Sequence, residues 1–399
     1  MTMKKEMKHL EKLCVEIGPR PLGSKANLAA TDYVQRAFEA VGLAVERQEF
    51  PCPLWEEIET RLEAGGEQVT ALANTWSPAC DVTAPTVALG TVAELEAAGL
   101  AGRIGILYGD LTKGHGLGAR SAFYFPEEHQ QIVRLLEEKR PVALLTVSPT
   151  PGCPERLIRD WEFPIPSATV LPEVGRALLQ QGSPVVRLRI ESRQTPGRFA
   201  NIVACKPGRQ VGRILLLAHL DTQADTPGAC DNGSGVAVLL ALAERLAQVE
   251  LAVGLEWFIT NGEEIGGVGD AEYLRRRGGE MDRILVAINV DGVGQWASVT
   301  SLAVMGGSQA LHDQMAALRA QYPGIVPVEP WYESDHTAFF FQGVPCLPIT
   351  SLGVHHTHLP GDSLDWISPA RLEEVVSLIA DIIEGLQDRS PGWCREPQA

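Results

Sequence analysis

From residue 198 to the end, apolar residues come in short, nearly continuous runs that alternate with stretches of helical spacing. "RILLLAH" (213–219), "LEWFIT" (255–260), "RILVAINVD" (283–291) and "PCLPITS" (345–351) have no polar alternation, the signature of strands covered on both faces. "GSGVAVLLALAERLAQ" (233–248), "GDAEYLRRRG" (269–278), a segment near 308–320, the short "DHTAFFFQG" (335–343) and residues 369–386 predict helices between and after them. This alternation is that of an α/β protein with a mixed, mostly parallel central sheet flanked by helices.

The N-terminal segment predicts helix, loop, helix over 4–42, broken at "PRPLGSKAN" (19–27). In the second helix Ala29, Tyr33, Val34, Phe38 and Val41 fall along one stripe, and "LAVERQEF" (43–50) then alternates like a strand. Between about 60 and 195 the texture is finer. Short apolar runs such as "RIGILYG", "VALLTVS" and "VVRLRIES" alternate with short helical pieces such as "PEEHQQIVRLLEEK". We therefore expect a discontinuous domain, 1–60 with 197–399, interrupted by a smaller α/β or β-rich insert at 61–196.

Composition narrows the function classes. A chain of 399 residues, 45% hydrophobic and 21% charged, buries a large core. Its formal net charge of −16, with no basic block, argues against nucleic-acid binding. The opening "MTMKKEMKHLEKLCVEIG" has lysines but no apolar core behind them, so we expect no signal peptide. No run reaches membrane-spanning length, "GVAVLLALAERLA" being stopped by Glu244 and Arg245. The eight scattered cysteines contain no CxxC pair, and reduced thiols in a cytoplasmic protein are the expectation. Oligomerisation is left open.

Chemistry concentrates at strand ends. His219, the pair Glu263–Glu264, Asp291 and the "HHTHLPGD" loop (355–362) each follow an apolar strand, and Asp231 in "GACDNGSG" lies between strand and helix. Taken singly these are turn, cap or surface residues. Together they are imidazole and carboxylate donors on the crevice side of one sheet, a set that suits zinc or another divalent first-row metal. Two histidines and three carboxylates serve two ions if one carboxylate bridges them, and a pair of ions can hold a hydroxide and polarise a carbonyl. The remaining glutamate is then free to act as a general base, and the metal charge relieves the repulsion within the pair. Asp221, two residues after His219, can fix the imidazole tautomer.

"AHLDT", "PGACDNGSGVAVLLALAERL", "NGEEIGGVGDAEYL", "NVDGVG" and "SDHTAFFFQGVPCLPIT…HLPGDSLDWI" resemble, in order, the motifs of the co-catalytic dizinc aminopeptidases, metallopeptidase family twenty-eight. The likeness extends to "IGPRPLGSKANLAATDYVQRAFEAVGLAVERQEF" and covers about 5–55 and 198–390, while the insert is more loosely similar to a protease-associated domain. The resemblance implies the zinc-exopeptidase fold and a metallo-aminopeptidase acting on peptides by metal-hydroxide attack. It implies Asp231 as the bridge between two zinc ions, His219 and Asp291 on one, and Glu264 with a late histidine on the other. Glu263 becomes the general base, Asp221 is the second catalytic residue, placed behind the metal ligand His219, and the peptide bond after Asp231 is expected to be cis. The family spacing selects His358, with Asp362, over its rivals His355 and His356, and leaves His336 outside the set. Thr357 stands where many members carry a tyrosine that can stabilise an oxyanion. Cys230, before the bridging aspartate, reads as a packing residue. Carboxypeptidase activity, glutaminyl-cyclase-like activity and a non-catalytic, receptor-like scaffold are the alternatives. The first wants a cationic clamp that the motifs lack, and the last wants lost ligands.

Overall fold

The computed structural model describes residues 4–113, 116–152, 155–353 and 357–395. Two compact units divide the chain, Met1–Phe50 with Phe199–Ala399, and Pro51–Arg198.

The larger unit is built on an eight-stranded sheet. Its strands are β1 (Ala44–Pro51), β2 (Arg198–Lys206), β3 (Arg213–His219), β4 (Gly254–Thr260), β5 (Ile284–Val290), β6 (Val299–Leu302), β7 (Ile325–Pro327) and β8 (Cys346–Leu352). They lie in the order β1-β2-β4-β3-β5-β8-β6-β7. The four central strands β4, β3, β5 and β8 run parallel, while β2 and β6 join them antiparallel. The parallel centre places the C-terminal ends of four strands along one edge. Every residue of β4 and β5 is buried, as continuous apolar runs require when helices cover both faces. The short strands β6 and β7 carry no clear pattern in the sequence, and it is pairing with β8 and with each other that makes them strands.

Helix Gly235–Leu246 crosses this sheet and is buried along nearly its whole surface, because only Glu244 and Arg245 in it are polar. Its first residue must be glycine: a Cβ on Gly235 would lie 2.1 Å from the Val290 carbonyl oxygen at the end of β5. Helix Lys25–Ala40 buries Asn27, Ala30, Thr31, Val34 and Phe38, and Ala29 faces solvent. The buried face thus differs from the purely apolar stripe because two polar residues turn inward. Asn27 donates to Asn261 Oδ1 at 2.7 Å, and Asn261 donates to Thr31 at 3.2 Å. Buried amides need such partners, and these bonds let two polar residues share the buried face with Ala30, Val34 and Phe38.

The smaller unit has its own eight-stranded sheet and its own apolar clusters. Strands Cys80–Leu89, Ile104–Leu107, Ala143–Val147 and Ser167–Val170 run parallel, and Leu54–Ala64 pairs antiparallel with Val185–Thr195. Leu54–Ala64 carries four glutamates and an arginine and shows no apolar run. Its partner strand draws it into this unit, so the division falls at 50/51 rather than 60/61.

Candidate metal centre

The site is assembled where the parallel strands end. β3 delivers His219, β4 leads into the turn Glu263–Ile265, β5 is followed by Asp291, and the chain after β8 carries His358. Asp231 sits in the loop between β3 and helix Gly235–Leu246, in a segment whose Asp231–Asn232 peptide is cis.

These side chains converge as two groups of three, His219 with Asp231 and Asp291, and Asp231 with Glu264 and His358. His219 Nε2 lies 3.1 Å from Asp231 Oδ1 and 3.4 Å from Asp291 Oδ1. His358 Nε2 lies 3.0 Å from Asp231 Oδ2 and 3.3 Å from Glu264 Oε2. Asp231 therefore offers one oxygen to each group. His219 Nδ1 sits 3.1 Å from the Asp221 carbonyl oxygen, which can only accept, so that nitrogen carries the proton. Neutral Nε2 then aims a lone pair at carboxylate oxygens, an arrangement that is repulsive until a cation or proton enters. Donor atoms on a tetrahedral ion bound at ~2.0–2.1 Å stand roughly 3.3–3.4 Å apart. The observed spacings are close to that edge, and the imidazole–carboxylate donor set fits zinc.

Asp221 holds the turn that carries the two adjacent glutamates at the end of β4. Its fully buried carboxylate accepts from the backbone N–H of Gly262 at 2.7 Å and of Glu263 and Glu264 at 3.3 Å each. It stands 3.8 Å from His219 Nδ1, so the tautomer is fixed by the Asp221 backbone carbonyl and not by the carboxylate expected there. Gly262 has φ of +93°, and a Cβ there would meet Val268 at 2.2 Å, so the turn cannot be built with another residue.

The loop bearing Asp231 is tied down in several ways. Asp362 accepts from the backbone N–H of Cys230 at 2.8 Å and of Asp231 at 3.0 Å, and Asn232 donates to the Val290 carbonyl at 2.8 Å. Arg20, with no exposed surface, donates to the carbonyls of Leu220, Pro227 and Gly228 at 2.7, 2.7 and 3.1 Å. Arg20→Met removes these bonds and strands buried carbonyls. It is expected to cost at least ~3 kcal/mol, read from the denaturant midpoint, and a change below ~1 kcal/mol would show that the clamp is dispensable.

Electrostatics reflect crowding. Burial pushes the Glu263 carboxyl well above the usual range; His219 counters this, while Asp335, Glu264 and Asp291 add to it. Glu264 is pushed up to about 7 by burial, with His358 opposing and Asp231 assisting. For His219 burial opposes protonation, but Asp291 and Asp231 outweigh it and raise the imidazole well above its ordinary value. Positive charge is what this pocket lacks. Burial, then Asp362 and Asp231, also push the Cys230 thiol well up, which suits a packing residue and not a thiolate.

His336 lies outside both groups: its ring nitrogens face Asn289 Nδ2 at 3.2 Å and the Trp331 carbonyl at 2.9 Å. His355 and His356, the rivals of His358, lie outside the described residues. Three contributors go unnoticed in the sequence: Arg20, Gln223 and Ser334. Ser334 donates to Asp291 Oδ2 at 2.6 Å and Gln223 bonds Glu264. Their only signal is adjacency to motif residues, "PRPLGS", "AHLDTQ" and "ESDH".

A mostly parallel α/β sheet with two three-residue donor groups sharing one carboxylate defines a metal-dependent hydrolase class. Residues 201–383 match the model of Peptidase family M28. Aminopeptidase YwaD of Bacillus subtilis is 25% identical over 93% of this chain and 82% of its own length. The structure is similar to that of an aminopeptidase from Aneurinibacillus sp. strain AM-1, with a TM-score of 0.76 and 24% identity over 99% of this chain and 96% of that one. It is also similar to BSAP, a zinc aminopeptidase from Bacillus subtilis, with a TM-score of 0.77 and 22% identity over 98% and 97% of the two chains. Among the described residues no helix is long and apolar enough to cross a membrane.

Proposed function

We propose that this chain is a zinc-dependent aminopeptidase that removes N-terminal residues from peptides, with two zinc ions held by His219, Asp231, Asp291, Glu264 and His358. The observation that carries the reading is the pair of donor groups joined through the two oxygens of Asp231. Bound zinc would supply positive charge that polarises the scissile carbonyl and acidifies water.

The chain's own residues do the rest. Glu263 neighbours the donor groups without belonging to either, so its carboxylate is free to accept a proton from water and return it to the leaving amine. Asp221 holds the turn that aims Glu263 and Glu264, and Ser334 and Asp362 hold Asp291 and Asp231. The likeness to Aminopeptidase YwaD supports the aminopeptidase reading over the carboxypeptidase one.

The test is hydrolysis of a panel of aminoacyl arylamides and N-blocked peptides by the purified protein, chelated and then zinc-restored. Release from free-amine substrates alone, lost on chelation and regained with zinc, is the expected result. Cleavage only at the C-terminus would replace the reading with a carboxypeptidase. Silence across the panel would sink the substrate assignment.

A further inference from the structure

Gln223 has no role in the metal set or in the proton transfer, yet it grips a ligand at both ends. Its backbone N–H donates to Glu264 Oε1 at 3.1 Å and its side-chain amide donates to Glu264 Oε2 at 2.6 Å. The residue is only 6% exposed, so water does not compete well for these bonds. Oε2 is also the atom 3.3 Å from His358 Nε2, the one that faces the second donor group.

Two N–H groups from one residue fix a carboxylate as a plane. The backbone donor settles where Oε1 lies and the side-chain donor settles the rotation about the last carbon–carbon bond. Together they hold the buried Glu264 carboxylate in place beside His358. The first donor group has a separate support, because Asp291 Oδ2 accepts from Ser334 and not from Gln223. Support for the two groups is thus divided between different elements.

We infer that Gln223 is a positioning residue that orients Glu264 and thereby sets the affinity of the Asp231–Glu264–His358 group for its metal ion, leaving the His219–Asp231–Asp291 group largely untouched. The inference rests on the two-ion reading above. Loss of a hydrogen bond to a metal ligand typically weakens binding 10–100-fold. Gln223→Met keeps the length and bulk of the side chain and removes the amide, so it separates hydrogen bonding from packing. Gln223→Asn keeps an amide but shortens its reach.

The experiment is titration of zinc into the metal-stripped parent and the Q223M and Q223N proteins by calorimetry, with cobalt absorption spectra as a second readout and melting curves as a check on folding. Parent protein should take up two ions. Q223M should bind one of the two ions as the parent does and the other roughly 10–100-fold more weakly, with an altered cobalt spectrum for that ion alone. Q223N should fall between them. A Q223M protein that binds both ions within about threefold of the parent would overturn the role of Gln223 while the two-ion reading stood. Equal weakening of both ions would also overturn it, since the effect would then be general. A parent that binds a single ion or none would overturn the two-ion reading and this inference with it.

Discussion

Glu263→Gln leaves a folded protein with normal zinc uptake whose turnover on a free-amine substrate falls by about 10²–10⁴-fold. The expectation follows from what the substitution keeps and removes. Glutamine has the same shape, and the turn that presents position 263 is held through backbone N–H groups that bond Asp221, so the geometry survives. Position 263 is in neither donor group, so the metal set survives too. Only the proton acceptor is lost, and KM should change little. Metal content and kcat measured on one preparation decide the matter. Turnover within threefold of the parent would remove Glu263 from the reaction, whereas loss of zinc along with activity would make it a ligand.

Asp231→Asn is expected to abolish the response of the protein to zinc altogether. Each oxygen of Asp231 faces a different histidine, at 3.1 and 3.0 Å, so one substitution weakens both groups at once. An amide supplies one neutral oxygen where two charged ones are needed. An ion present at 100 times its Kd stabilises a folded protein by about 2.7 kcal/mol. The parent melting temperature should therefore rise when zinc is returned to the stripped protein, and that of D231N should not. Asp291→Asn, which touches one group only, is the comparison: it should lose part of the rise. If D231N binds zinc with parental stoichiometry, Asp231 does not join the groups and the two-ion reading fails.

Much of this site is legible in the sequence because a buried parallel sheet leaves little freedom. Once "RILLLAH", "LEWFIT" and "RILVAINVD" are read as fully covered strands, the polar residues that follow them must emerge on one edge, since parallel strands end on the same side. The structure brings His219, Asp231, Glu264, Asp291 and His358 together there. The edge strands Val299–Leu302 and Ile325–Pro327 are illegible for the opposite reason: they are short and draw their order from neighbours. Leu54–Ala64 is hidden by its glutamates, which a solvated strand face tolerates.

The sequence by itself determined the donor types, their order and their common edge, because residue identity fixes coordination chemistry and apolar runs fix the strands that carry it. Only the tertiary structure decided which atom meets which. The Asp221 carboxylate serves the Gly262–Glu264 turn while its backbone carbonyl serves His219. Arg20 reaches loops some 200 residues away, and Asn27 and Thr31 turn a polar face inward to meet Asn261. Gln223 closes on Glu264 across 41 positions. Hydrogen bonds are short and directional, so such pairings depend on ångström-scale placement of distant segments, which no local pattern encodes.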